Sequence, residues 1–512
     1  MLIKILILLL FSAVTVYVGL ISRKNAVDVT GYVLGGRNIG AWMTAFAFGT
    51  SYFSAVVFVG YAGQFGWKYG VAAVWIGIGN AFIGSLLAWV VLGRRTRVMT
   101  HHLNAATMPE FFGKRYSSSA LKIVASAIIF VFLVPYTASL YNGLSRLFGM
   151  AFDIPYIPCV IAMAILTGVY VVLGGYVATA INDFIQGIIM LGGIVVVVWA
   201  VLSGQGGFIS ALQKLSLFES DIAVTAGQAG AFTSFFGPDP LNLLGVVILT
   251  SLGTWGLPQM VHKFYAIKNE KAISTGTIIS TAFAVVVSCG CYFLGAFGRL
   301  FDAPAIYNAE GAVAYDAIVP FMLSSLPDIL LGVIVVLVLS ASMSTLSALV
   351  LTSSSTLVLD FIRGTILKTM TESLQVLYMR VSVVVFILIS VVLALNPPMF
   401  IAQLMGISWG ALAGSFLGPF LYGLYWKRVS RAAVWVSFAC GVGFTVSNMF
   451  LKFIASPINA GAITMLLGLL LVPLVSMLFK NREEERVDEM FKCYDEKVEV
   501  TKSMVLVDEN GK

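Results

Sequence analysis

The chain is short of charge. Of its 512 residues, 11% are Asp, Glu, Lys or Arg, against about 25% in ordinary soluble domains. That deficit excludes a typical water-soluble fold. Histidine is scarce as well: His101, His102 and His262 are the full set, and two neighbours in sequence make a poor metal pair on a helix. The five cysteines, Cys159, Cys289, Cys291, Cys440 and Cys493, show no zinc or redox spacing. Most lie in apolar segments, where a thiol behaves as a small apolar group. There is no Ser/His/Asp set, no phosphate-binding glycine loop and no metal-hydrolase motif. The sequence therefore points away from an enzyme and calls for no cofactor.

Apolar surface is what the chain has in plenty. Hydrophobic residues make up 59% and the mean hydropathy is +0.95. This is the composition of an all-α polytopic membrane protein, with the lipid bilayer as its partner. A span needs about 20 apolar residues. Thirteen are predicted, near 2–21, 41–61, 71–92, 119–147, 156–174, 177–202, 241–263, 274–298, 329–360, 377–395, 398–425, 432–452 and 460–479. The first is apolar apart from Lys4 and is followed by Arg23 and Lys24 instead of a cleavage site, so it reads as retained. The net charge of +7 does not imply nucleic acid, because of where it falls. With the N-terminus outside and the C-terminus cytoplasmic, eighteen of the 31 Lys and Arg sit in inward loops, Lys263 among them. Six face outward, which satisfies the positive-inside rule. The acids of the outward loops, such as Asp221, Asp239 and Asp316, read as solvated. The tail after residue 480 reads as a surface or disordered segment.

Three features stand out against the apolar background. The first is Ser340–Thr356, in which ten of seventeen residues carry hydroxyls and none is charged. On a helix, Ala341, Ser344 and Thr345 share a face. Hydroxyls and a carbonyl looking one way can replace part of the water around a hard cation. The plainer reading is close packing of membrane helices through small residues.

The second feature is a pair of segments able to interrupt a helix. Phe48-Gly49-Thr50-Ser51-Tyr52-Phe53-Ser54 lies inside one apolar run, and Gly253-Thr254-Trp255-Gly256-Leu257-Pro258-Gln259 inside another. Glycine weakens a helix, proline removes a donor, and nearby hydroxyls can satisfy opened backbone. Matched interrupted helices point to a transport site near the bilayer midplane. The third is Asp183, an acid within a span. Lipid-facing at the bilayer centre, it would cost at least about 2.5–3.5 kcal/mol. It must face a wet cavity, a cation or a partner, or lie close enough to the inner end to be solvated.

These residues, taken in order, resemble the sodium/solute symporter family of proline, pantothenate, sialic acid and sugar carriers. The carriers of the likeness are Tyr32-Val33-Leu34-Gly35-Gly36-Arg37, the Gly49–Ser54 segment, Gly174-Gly175-Tyr176 with Asn182, Asp183 and Gln186, Trp255–Gln259, Ala341–Ser347 and Gly423-Leu424-Tyr425-Trp426-Lys427-Arg428. The resemblance implies a LeuT-type fold of two inverted five-helix repeats, here 40–202 and 240–428. One extra helix (1–24) precedes them, and two (429–480) and a tail (481–512) follow. It implies a sodium site built from main-chain oxygens of Thr50, Phe53 and Ala341 and the hydroxyls of Ser344 and Thr345. It also implies a sodium exit route past Asp183. At substrate positions the chain departs from the pattern. Proline carriers have an aspartate at the position of Tyr52, and sugar carriers have polar residues at Val56 and Val57 and a tyrosine at Thr254. Tyr52, Trp255, Gln259 and Gln403 are the candidate lining residues. The expected function is sodium-coupled import of a small organic solute (a carboxylate, amino acid, vitamin or sugar) by alternating access in the plasma membrane. A proton-coupled carrier is the near alternative, and a channel or membrane sensor the distant one.

Overall fold

The computed structural model describes residues 2–152, 154–308, 310–367, 369–396, 400–479 and 483–495. Among them the chain is helical apart from three isolated backbone bridges. Ten helices are long and apolar enough to cross a membrane, or eleven if the bent pair Pro240–Gly256 and Pro258–Ala266 counts as one span. The expected thirteen are not reproduced by length and apolarity. Two of the ten are very long, Val56–His102 with 47 residues and Tyr156–Gly204 with 49. At 1.5 Å per residue the longer would extend about 74 Å, more than twice the ~30 Å hydrocarbon core. Each is interrupted by a glycine outside the helical conformation. Gly70 (φ 56°, ψ −138°) and Gly175 (φ 55°, ψ −146°) both leave the helical region. A Cβ at Gly175 would lie 2.7 Å from the Tyr32 carbonyl oxygen, and one at Gly70 2.1 Å from that of Phe232. Only glycine fits either the conformation or the space.

Both anticipated interruptions are present. The helix Ala41–Tyr52 ends where Phe53 turns extended (φ −105°, ψ 94°). Ser54 restarts it: its side chain accepts from Val56 N–H at 3.2 Å, and its carbonyl accepts from Val57 and Phe58. The new stretch is wound as a π-helix over Val56–Tyr61 before Ala62–Tyr69 resumes regular pitch. The second break is at Leu257 (φ −81°, ψ 122°), between Pro240–Gly256 and Pro258–Ala266, with a bend of 44°. Pro258 opens the new helix, where its missing N–H is not needed.

The long helix Asp328–Thr356 runs through the middle of the bundle and is buried from Ile334 to its end. It packs against Ala41–Tyr52 and against the two arms of Tyr156–Gly204. Glu270–Ala296 touches the first broken helix backbone to backbone: a Cβ on Gly66 would sit 2.0 Å from the Gly295 carbonyl.

Three expectations are corrected at the periphery. The tail forms a helix, Glu484–Lys492, with Val487, Met490 and Phe491 buried. Its carboxylate Glu483 accepts from Ser117, Arg431 and Arg486, and Arg95 lies over the Tyr494 ring at 4.3 Å. Apolar residues at one-turn spacing, in a charged segment, account for the docking. Residues 496–512 lie outside the described set. The outer acids are not all solvated either. Asp316 is 3% exposed and accepts from Ile401 N–H, whereas Asp221, 60% exposed, stays solvated while pairing with the buried Arg299 at 2.6 Å. Finally, Lys263, counted with the inward loops, is buried together with His262 in Pro258–Ala266.

Candidate ion and solute site

Breaking a helix frees the carbonyls that the lost turn would have used. The extended bend at Phe53 does this for Thr50 and Ser51. The hydroxyls of Ser344 and Thr345 each donate to the Thr50 carbonyl at 3.2 Å, across from the hydroxyl-rich helix. Thr345 also reaches Ser51 O at 3.4 Å and Ala341 O at 3.2 Å, and Ser344 reaches Ala341 O at 3.2 Å and Ser340 O at 2.9 Å. A hydroxyl has one proton to give, so neither can serve all of these carbonyls at once. Thr50 Oγ1, Ser51 Oγ and Ser340 Oγ are buried beside them with no partner. The result is a neutral nest of crowded oxygens, several of them without a fixed partner. Oxygens about 3.2–3.4 Å apart match the edges of an octahedron around a cation with ~2.3–2.4 Å bonds, the spacing hard ions take. Thr50, Ala341, Ser344 and Thr345 are thus brought together. Phe53 lies in the bend itself, its ring stacked on Tyr52 at 4.3 Å.

Most other hydroxyls of this helix turn inward on it. Ser342, Ser347, Ser354, Ser355 and Thr356 bond carbonyls three or four residues back. Tyr170 braces the helix by donating to Met343 O at 2.8 Å.

Of the four candidate solute residues, Tyr52 stays with the break. It is 1% exposed and donates to Thr250 O at 2.7 Å, which ties the first broken helix to the second. Trp255 is half-buried and donates to Ile83 O at 3.0 Å, so it faces the neighbouring helix. Gln403 is half-buried in the first turn of Ile401–Tyr425. Two turns further along that helix, Trp409 stacks on Tyr52 at 6.2 Å. Trp409 also packs on the second broken helix, where a Cβ on Gly253 would be 2.4 Å from its ring. Sequence reasoning missed Trp409 and its neighbour Tyr136. The available signal was a lone aromatic among the small residues Gly406, Ser408 and Gly410.

Gln259 belongs to a different group. It shares a narrow crevice with Tyr176, Thr179, His262, Lys263 and Thr352. Next to it lies Asp183, which is wholly buried, so the solvated reading does not hold. Its Oδ2 is 3.5 Å from Lys263 Nζ, with the two side chains 0% and 3% exposed. The Lys263 ammonium also lies 5.4 Å from the Tyr176 ring centroid. Around this pair, Asp183 Oδ1, both amides of Gln186 and Gln259, His262 Nε2 and Tyr176 Oη have no hydrogen-bond partner. Asp183 is also not alone among the acids of the spans: Asp360 is 1% exposed and accepts from Thr107 Oγ1 at 2.5 Å. Thr345, Ala348 and Thr352 fall on one face of the central helix, so one stripe joins the oxygen nest to the crevice.

Comparison with known proteins bears on the family and the fold. The profile of the sodium:solute symporter family matches residues 32–441. The osmoregulated proline transporter OpuE of Bacillus subtilis (strain 168) is 28% identical over 420 residues, 81% of this chain and 82% of that protein. A sodium/proline symporter of Staphylococcus aureus (strain JH9) is 30% identical over 437 residues, 82% and 80% of the two chains. Among solved structures, a substrate-bound, outward-open Na+-coupled sialic acid symporter superposes with a TM-score of 0.75 at 15% identity, covering 93% of this chain and 98% of that one. The closed form of Mhp1, a nucleobase-cation-symport-1 family transporter, gives 0.50 at 14% identity, covering 90% and 98%. These likenesses carry the fold, which is of the LeuT type.

Proposed function

We infer the working cycle from one premise: the chain belongs to the sodium:solute symporter family, and so is a multi-pass membrane transporter that couples a solute to sodium, not an enzyme. In our reading the sodium ion is held by the main-chain oxygens of Thr50, Phe53 and Ala341 and the hydroxyls of Ser344 and Thr345. The observation that carries this is the double approach of Ser344 and Thr345 to the Thr50 carbonyl. A cation there replaces shared protons with one positive charge that all the oxygens face. It thereby joins the first broken helix to the central helix and orders the solute site beside Tyr52.

The cycle then runs by alternating access, between repeats spanning 40–202 and 240–428, with helices 1–24 and 429–480 outside them. Sodium and solute enter from outside, with the N-terminus on that side and the C-terminus cytoplasmic. Sodium leaves inward along the Thr345–Ala348–Thr352 stripe, past Asp183. Lys263 keeps the Asp183 carboxylate paired whenever no ion is passing, and so spares the membrane interior a bare charge. One charge moving through ~100 mV is worth about 2.3 kcal/mol. A tenfold sodium gradient adds about 1.4 kcal/mol. Together they sustain roughly 500-fold accumulation per ion at full coupling.

The test is solute uptake into vesicles at fixed pH with sodium replaced by choline. Saturable uptake that stops in choline is the expected result. Uptake that persists in choline and follows an imposed pH gradient would contradict sodium coupling.

A further inference from the structure

A phenol hydroxyl spans the two breaks. Tyr52 is the last residue of Ala41–Tyr52 and stands shortly after Thr50, whose carbonyl receives Ser344 and Thr345. Its hydroxyl donates to the Thr250 carbonyl at 2.7 Å, the usual length for an O–H···O bond. Both residues are 1% exposed, so bulk water does not reach the bond. Thr250 lies in Pro240–Gly256, about two turns before the break at Leu257. The oxygen nest and the second broken helix are therefore linked through this side chain.

The surroundings are shaped for that hydroxyl. A Cβ on Gly84 would lie 2.2 Å from Tyr52 Oη, so no larger residue fits there while the bond stands. Gly84 belongs to Asn80–Leu87, which is wound as a π-helix. Such turns are rare and recur at functional sites. Two carbonyls of this stretch face the second broken helix: Gly84 O accepts from Thr254 Oγ1 at 2.9 Å and Ile83 O from Trp255 Nε1 at 3.0 Å. Thr250 and Thr254 share a helix face, so the Tyr52 hydroxyl and the Gly84 carbonyl hold the same side of the helix just before it breaks. The Tyr52 ring is itself stacked on Phe53 at 4.3 Å and on Trp409 at 6.2 Å. With the ring held by stacking, the position of the hydroxyl follows the position of the Tyr52 backbone.

We propose that Tyr52 is a positioning residue that carries sodium binding at the first break to the second broken helix, through its bond to the Thr250 carbonyl. The proposal rests on the symport reading, in which the ion is held by the Thr50 and Phe53 carbonyls. Those carbonyls flank Tyr52, so an ion on both fixes the backbone from which the phenol projects. Without the ion, that turn is held by hydroxyl protons shared among several oxygens, and the phenol keeps its place on Thr250 less of the time. One buried neutral hydrogen bond changes an equilibrium by up to about tenfold. Couplings between two sites commonly lie at about 5–150-fold, so one such bond is enough. The linkage is reciprocal: a solute that orders the second broken helix tightens sodium binding through the same phenol.

The experiment is amide hydrogen exchange on the purified full-length protein, with sodium alone as the probe and choline as the control. Exchange reports local opening segment by segment. In the wild type, sodium is expected to slow exchange about tenfold both at residues 50–54 and at residues 250–259, the scale of one hydrogen bond. Tyr52→Phe keeps the ring and removes the donor. Sodium should still protect the first segment in this variant, while the second exchanges within about twofold of its choline rate. Gly84→Ala keeps the phenol but fills the space of its hydroxyl, and should show the same split. Sodium protection of both segments in both variants would overturn the proposal. So would wild-type protection confined to the first segment. Exchange in Tyr52→Phe that is faster by the same factor in sodium and in choline would also overturn it, because that is the signature of packing alone. These three results leave the ion site standing. Sodium that protects neither segment of the wild type would sink the ion site, and this proposal with it.

Discussion

Two buried polar regions share the central helix and solve opposite problems. Around Thr345, neutral oxygens crowd within 3.5 Å of one another. Around Lys263, two full charges stand 3.5 Å apart among amides and an imidazole nitrogen that bond to nothing. The first region can stand empty, because hydroxyl protons partly serve its carbonyls. In the proposed cycle it also binds a monovalent cation and lets it go. The second cannot tolerate the loss of one member, because a lone buried charge is expensive. Binding and release need the neutral kind of site. A route that must stay closed between ions suits the charged kind.

The largest effect that would break this comparison is expected from Lys263→Met. It leaves Asp183 buried and unpaired, a loss of about 3–5 kcal/mol. The solubilised variant should melt well below the wild type and transport nothing. Adding Asp183→Asn should restore most of the melting temperature and none of the turnover. A Lys263→Met protein as stable as the wild type would mean that Asp183 is satisfied by other groups. Asp183→Asn alone should act next most strongly, slowing turnover more than it weakens equilibrium sodium binding. Equal loss of both would remove Asp183 from the exit route.

Smaller effects sharpen the contrast at the neutral site. Phe53→Leu should leave half-saturating sodium near the wild-type value, because the proposed ligand is the carbonyl and not the ring. A large shift there would point to the ring stack with Tyr52 as the determinant. The weakest effect is expected at the tail. The Ser117 hydrogen bond, with Arg486 and Arg431, holds the Glu483 carboxyl below its usual range. Its contribution is therefore present above the ordinary carboxylate pKa and lost as pH falls through the lowered value. These ion pairs are exposed, so the effect is about 0–1 kcal/mol. Labelling of the buried Cys493 should rise modestly in acid and in Glu483→Gln, and labelling that ignores both would detach Glu483 from tail docking.

Much of this could be read before any coordinates. Gly49 and the nearby hydroxyls, and Gly256 with Pro258, announced breaks that fall at Phe53 and Leu257. The i, i+3, i+4 spacing of Ala341, Ser344 and Thr345 announced a face that does meet Thr50. Other parts were hidden for physical reasons. Lys263 was counted with the loops because a lysine at the edge of an apolar run normally marks an interface, and only its buried acid partner distinguishes it. Trp409 was silent because aromatic residues in membrane helices are usually packing, and its stacking on Tyr52 is a property of three-dimensional surroundings. Gly70 and Gly175 carry turns that hydropathy cannot see. The tail helix was masked by its charge, with its three apolar contacts spread over little more than one turn.

The central claim is that sodium sits between the first break and the hydroxyls of Ser344 and Thr345. Equilibrium binding of radioactive sodium to purified wild type, Ser344→Ala and Thr345→Ala tests it most directly. Each variant should need at least about tenfold more sodium for half-saturation, the scale of one lost ligand to a charge, with protein abundance little changed. Wild-type sodium affinity in both variants would contradict the account.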